Sequence, residues 1–182
     1  MQFLSLVLMA TSALAIPTKL PSRAASAPTC MEKGAKVSEW GLTDFVYKVQ
    51  YSSEKRTNTA TVEFDLHNKA LDYTASCSGK TVAKNADKLN KQDLFDGKTN
   101  YDCKVPNGAD TASFKYNHKK GTISILQHWA CVEEGGWFEA TGNKTSSETK
   151  SACKTTTKKG VQYETCTKAS LKVPVLEMRA VL

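Results

Sequence analysis

The amino-acid sequence predicts an all-β protein, a single antiparallel β-barrel or sandwich with disulfide-tied loops. Three observations carry that reading. Thr59 to Cys77 alternates apolar and polar residues with a period of two on both sides of a short polar break. At least seven short segments of similar kind follow one another between turn-forming residues, with no amphipathic helical pattern among them. Six cysteines, an even number, all lie beyond an amino-terminal apolar run. Successive side chains of a strand point to opposite faces, so strict alternation is useful only where one face is buried; a helix would mix the two sets around its circumference. Many short strands with regular turn signals form sandwiches or barrels.

In chain order, the first feature is the apolar run Phe3 to Leu14, ending in Ala13-Leu14-Ala15 with Pro17 beyond. This pattern predicts a secretory signal peptide over 1–15, its positive charge supplied by the free amino terminus rather than by Lys or Arg. The run is shorter than the ~20 apolar residues that span a bilayer, so export without stable membrane insertion is expected. Residues 16–29, rich in Pro, Ser and Ala, read as a flexible lead-in, and 30–182 as one domain.

Lys36 to Tyr51 predicts a strand with Phe45, Tyr47, Val49 and Tyr51 on one face and a bulge at Gly41. The central hairpin aligns Val62, Phe64 and Leu66, then Leu71, Tyr73, Ala75 and Cys77, with Asn68 suited to a left-handed turn position. The polar stretch Ser78 to Asp102 reads as a surface loop. A second hairpin aligns Phe114 and Tyr116 with Ile123, Ile125, Gln127, Trp129 and Cys131 around a turn at His118 to Gly121. Gln127 is out of character on that face: a bulge re-phases the strand there, or its amide meets a buried partner. After the turn Glu133 to Gly136 come a short strand Trp137 to Thr141, a Lys-, Thr- and Ser-rich loop Gly142 to Gly160, and two closing strands, Val161 to Thr165 and Ala169 to Val175. Pro174 marks the last as an edge strand, because proline cannot donate to a ladder. The expected core is Trp40, Phe45, Val62, Phe64, Leu66, Leu71, Tyr73, Phe114, Ile123, Ile125, Trp129 and Val173.

In an exported chain the cysteines read as disulfides rather than metal ligands, and no pair shows the close C-x-x-C spacing of zinc sites. Cys77 with Cys103 and Cys153 with Cys166 each bracket a polar, Lys-rich stretch, which leaves Cys30 for Cys131. Asn143-Lys144-Thr145 is an acceptor sequon expected on an exposed loop.

No catalytic residue stands out. The chain has neither a G-x-S-x-G elbow nor an H-E-x-x-H zinc motif, and His67, His118 and His128 fall on a turn, a turn and a polar strand face. Glu133, Glu134 and Glu139 read as solvated carboxylates rather than a catalytic pair. The net charge of +7 would suit a polyanion, and a secreted ribonuclease-like protein is the enzyme alternative. Against it, Lys80, Lys84, Lys88, Lys91, Lys119, Lys120, Lys150, Lys154, Lys158 and Lys159 read as scattered over loops, a solvated surface with no nucleic-acid partner. No cofactor is expected.

Several elements together resemble a fungal family, the secreted β-barrel proteins like the Alternaria major allergen. Trp40-Gly41-Leu42-Thr43-Asp44-Phe45, Val62 to Leu66, Leu71-Asp72-Tyr73, Cys77-Ser78, Tyr101-Asp102-Cys103, Phe114-Lys115-Tyr116 and the pair Cys153 and Cys166 carry the resemblance in that order. Its longer connection between Cys77 and Cys103 and its additional Cys131 set this chain apart: the resemblance implies a dimer linked through Cys30 of two chains with Cys131 free, whereas Cys131 offers Cys30 a partner within the chain. The resemblance implies a non-enzymatic extracellular protein acting in the plant apoplast as an effector or elicitor of defence, bound by a host extracellular protein or receptor. A small hydrophobic ligand in a barrel mouth lined by Trp129, Trp137 and Phe138 is the competing binding reading.

Overall fold

The computed structural model describes residues 27–85, 94–145 and 152–181. The expected leader, nearly all of the lead-in, and Lys88, Lys91 and Lys150 lie outside the described residues. A one-turn helix α1 (Cys30–Gly34) precedes β1 (Glu39–Ser52), β2 (Thr57–His67), β3 (Thr74–Ala83), β4 (Tyr101–Lys104), β5 (Thr111–Asn117), β6 (Thr122–Cys131), β7 (Gly136–Thr145), β8 (Ala152–Lys158), β9 (Val161–Pro174) and β10 (Glu177–Val181). These strands form one antiparallel sheet in the order β10-β7-β6-β5-β4-β3-β2-β1-β9-β8.

The alternation read from the sequence sets the register. Leu66 lies opposite Ala75 and Phe64 opposite Cys77, and all four are buried. In the second hairpin Tyr116 lies opposite Ile123 and Phe114 opposite Ile125. The sheet folds over on itself so that the inner faces of β1 and β2 meet those of β5 and β6. Phe45 and Tyr116 approach with ring centroids 5.7 Å apart, Phe64 and Phe114 with centroids 4.9 Å apart, both edge to face. Leu71 and Tyr73, expected in the core, sit in the β2–β3 connection and are only partly buried against it.

The barrel does not close by hydrogen bonds: β8 and β10 remain as sheet edges. The chain itself spans the gap. After Pro174 it turns from β9 into β10 through Val175 and Leu176, whose N–H groups donate to the carbonyls of Ser38 and Thr141 at 2.9 Å each. Gly142 permits the turn, since a Cβ there would stand 2.0 Å from the Pro174 carbonyl oxygen and 2.9 Å from the Trp40 ring.

Several local expectations are corrected. The bulge in β1 lies between Thr43 and Val46, with Asp44 at φ 54°, and not at Gly41. Its effect is to re-phase the strand, so Trp40 and Leu42 before it and Phe45 and Tyr47 after it all point inward. Asn68 is not left-handed; it is buried, and its side chain reaches into the core. Within the span expected as a surface loop, β3 continues to Ala83, and Leu94 and Phe95 are buried, Phe95 packing on Tyr47, Tyr101 and Tyr116. Much of the expected loop 142–160 is strand, because β7 runs to Thr145 and β8 starts at Ala152. The two closing strands are one, β9, followed by an unexpected β10. Pro174 ends a strand whose start lies between β1 and β8; among the described residues β8 pairs it as far as Thr167, and the proline itself pairs with Glu39 of β1.

Candidate binding surface

Each cysteine is joined: Cys30 to Cys131, Cys77 to Cys103, and Cys153 to Cys166. The last two link residues directly opposite each other on neighbouring strands. The first ties α1 to the end of β6. That helix is seated by polar contacts as well. Thr29 caps it, exchanging hydrogen bonds with Glu32, and the Glu134 carboxylate accepts from the backbone N–H groups of Cys30 at 2.9 Å and Met31 at 3.2 Å. Glu134 is therefore a helix anchor, a role that adjacent glutamates on a turn do not announce.

Gln127 is inward-facing without a bulge, the second of the two expected solutions. Its carbonyl oxygen accepts from Trp40 Nε1 at 2.8 Å and Asn68 Nδ2 at 2.9 Å, while Asn68 Oδ1 accepts from the Ala70 N–H. A second polar group lies nearby in sequence: Asp110 accepts from the Tyr73 hydroxyl, the Asn107 amide and the Ala130 N–H. Burial first, and then the Asp110 carboxylate, raise the Tyr73 pKa above the usual phenol range; burial does the same for Tyr47. Both groups knit elements of distant sequence. Their donors and acceptors are engaged with one another rather than presented to a ligand.

The histidines stand apart. His67 contacts Thr43 and Thr74, His118 stacks on Tyr47 with centroids 4.2 Å apart, and His128 lies beside Trp137 on the outer face at 5.4 Å. Trp129 and Phe138 are buried and stacked on each other with centroids 5.1 Å apart, whereas Trp137 pairs with Ala130 on the outer face. The three aromatics expected to line a ligand mouth therefore do not share a cavity.

Two surfaces among the described residues bear on binding. On the outer face of β5, β6 and β7, a trough of about 610 Å³ is walled by Lys115, Ser124, Leu126, Thr141, Asn143 and Leu176. Leu126 is 41% and Leu176 60% exposed, large apolar side chains turned to solvent. Asn143 is exposed as well, but on β7 rather than on a loop. The second surface is cationic. The β1–β2 turn, the β8–β9 turn and the end of β3 meet at one end of the molecule, where Ser53 Oγ donates to the Gly160 carbonyl. Lys55, Arg56, Lys84, Lys158 and Lys159 gather there. Lys80, Lys84, Lys154, Lys158 and Lys159, expected as scattered loop charges, are thus brought to one region by strand pairing.

No curated protein matches the chain. A family model does, that of Alternaria alternata allergen 1, over residues 42–166. The match runs from the inward-facing Leu42 of β1 to Cys166 of β9, taking in strands β2 to β8 and two of the disulfides. With more than half of its length matched, the chain belongs to the Alternaria alternata allergen 1 family.

Proposed function

We propose that the protein is exported, carries out no catalysis, and acts in the plant apoplast as an effector or elicitor of defence by being bound by a host extracellular protein or receptor. The observation that carries this reading is the outer trough, where Leu126 and Leu176 stand exposed among Lys115, Ser124, Thr141 and Asn143. Exposed apolar side chains rimmed by polar ones are what a protein partner buries. The sheet beneath is covalently tied at Cys77–Cys103 and Cys153–Cys166, which suppresses local opening and so resists the proteases of an extracellular compartment. Asn143 stands in the trough wall, and a glycan attached there would cover part of it.

The test is infiltration of leaf tissue with intact protein, with a Leu126→Asp, Leu176→Asp variant, and with a reduced and alkylated sample. Intact protein should provoke a defence response and retain an apoplastic protein partner, and the other two should do neither. A response reproduced fully by the alkylated sample would place recognition in a linear peptide, and no response to intact protein would sink the elicitor reading.

A further inference from the structure

The cationic end is more than a gathering of turns, because the outer face leading up to it is ordered. Lys154 on β8 lies opposite Thr165 on β9; Thr165 lies opposite Lys48 on β1; Lys48 lies opposite Thr61 on β2; and Thr61 lies opposite Lys80 on β3. Directly paired residues share a face, and since Tyr47 and Val49 point inward, this row points outward. Lysines thus occur on every second strand, roughly 9–10 Å apart given the spacing between neighbouring strands, with a threonine hydroxyl between each pair. The next row carries no charge: Thr156, Tyr163, Gln50 and Thr59 are polar, and the row ends on β3 at the exposed Val82. Between them lies a trough of about 300 Å³ lined by Lys48, Gln50, Thr59, Lys80 and Tyr163. Beyond it stand the five cations of the turns. Of the acidic groups, Glu54 stands among the cations of the β1–β2 turn and the buried Glu164 borders the trough, while Glu63 and Asp65, with Asp44 of the bulge, lie toward the other end, Glu63 pairing with Lys48 at 3.6 Å.

We propose that this face binds an acidic polysaccharide, a polymer of uronate sugars, laid across the strands. A chain bearing regularly spaced carboxylates matches lysines repeated along one line, and the intervening hydroxyls and the Gln50 amide match sugar hydroxyls. Nucleic acid is the poorer fit. Bidentate phosphate recognition favours arginine, and single strands favour rows of stacking aromatics, whereas the face offers lysine point charges and one tyrosine. This binding is separate from the protein partner proposed for the Leu126 trough and concerns the opposite half of the sheet.

The experiment measures retention of the purified protein on immobilised polygalacturonate, with fully methyl-esterified polymer and single- and double-stranded DNA as competing probes. Two variants of equal net charge are compared, Lys80→Glu, Lys154→Glu, Lys158→Glu and, away from this face, Lys36→Glu, Lys115→Glu, Lys120→Glu, each checked for an unchanged thermal transition. The expected result is salt-sensitive binding to polygalacturonate and not to the esterified polymer, weakened at least about tenfold by the first variant and far less by the second. Equal weakening by both variants would reduce the effect to net charge and overturn the proposal. So would tighter binding to DNA, or no binding to polygalacturonate at low salt.

Discussion

The two ends of β1 are held by different physics. At its start, around Trp40, the two layers are locked together. Trp40 donates to the buried Gln127, β9 turns into β10 over Gly142, and Val175 and Leu176 satisfy carbonyls on two different elements. At its far end, around Ser52, Asn58 and Glu164 are buried on the inner side, while lysines stand on the outer face and in the turns. One end has buried polar atoms whose partners come from distant sequence, so it fixes how the sheet folds over. The other leaves its lysines in water, where they contribute little to stability and remain available to a partner. Stability and recognition are thus separated along a single strand.

The largest loss of stability is expected at Gln127. Replacing it with leucine keeps the volume but leaves Trp40 Nε1 and Asn68 Nδ2 buried without this acceptor, and should cost about 2–4 kcal/mol in denaturant unfolding. A change near zero would mean that the locked end is held by packing alone. Next in size is Gly142→Ala, where the new methyl meets backbone rather than a movable side chain. It should cost about 1–3 kcal/mol, with a lowered thermal midpoint, and a neutral result would show that the β9–β10 corner can shift.

Alkaline pH should come third. Tyr73 and Tyr47 have pKa values raised by burial, so the folded state holds their protons where the unfolded chain releases them. Their contribution is complete below the unfolded phenol value of about 10 and is lost as pH rises from there toward the folded values. Thermal melts across that range should fall, and tyrosinate absorbance should lag in the folded protein. A flat stability profile would contradict the burial of both hydroxyls. Smallest of all is Lys80→Gln with Lys154→Gln at the cationic end, expected within about 0.5 kcal/mol of the parent in unfolding experiments. A larger loss would erase the distinction between the two ends.

The strand pattern and much of the core were legible in the sequence, because alternation is a local property and a slip of one residue would turn Phe64 and Leu66 into water. Even the bulge was written there, in the change of phase from Trp40 and Leu42 to Phe45 and Tyr47, although the glycine drew attention to the wrong position. Gln127 announced itself as an apolar-face residue needing a partner. Its partners, Trp40 and Asn68, are 87 and 59 residues away, and nothing local names them. Only the tertiary structure decided that Phe95 leaves a polar stretch to join Tyr47 and Tyr116, that Glu134 anchors a helix, and that the chain rather than a ladder spans the gap between β9 and β10. The same holds for the cationic face: Lys48, Lys80 and Lys154 look scattered in sequence because charge carries no periodic signal across a connection. Strand register places them in one row, since pairing converts distance along the chain into spacing across a sheet.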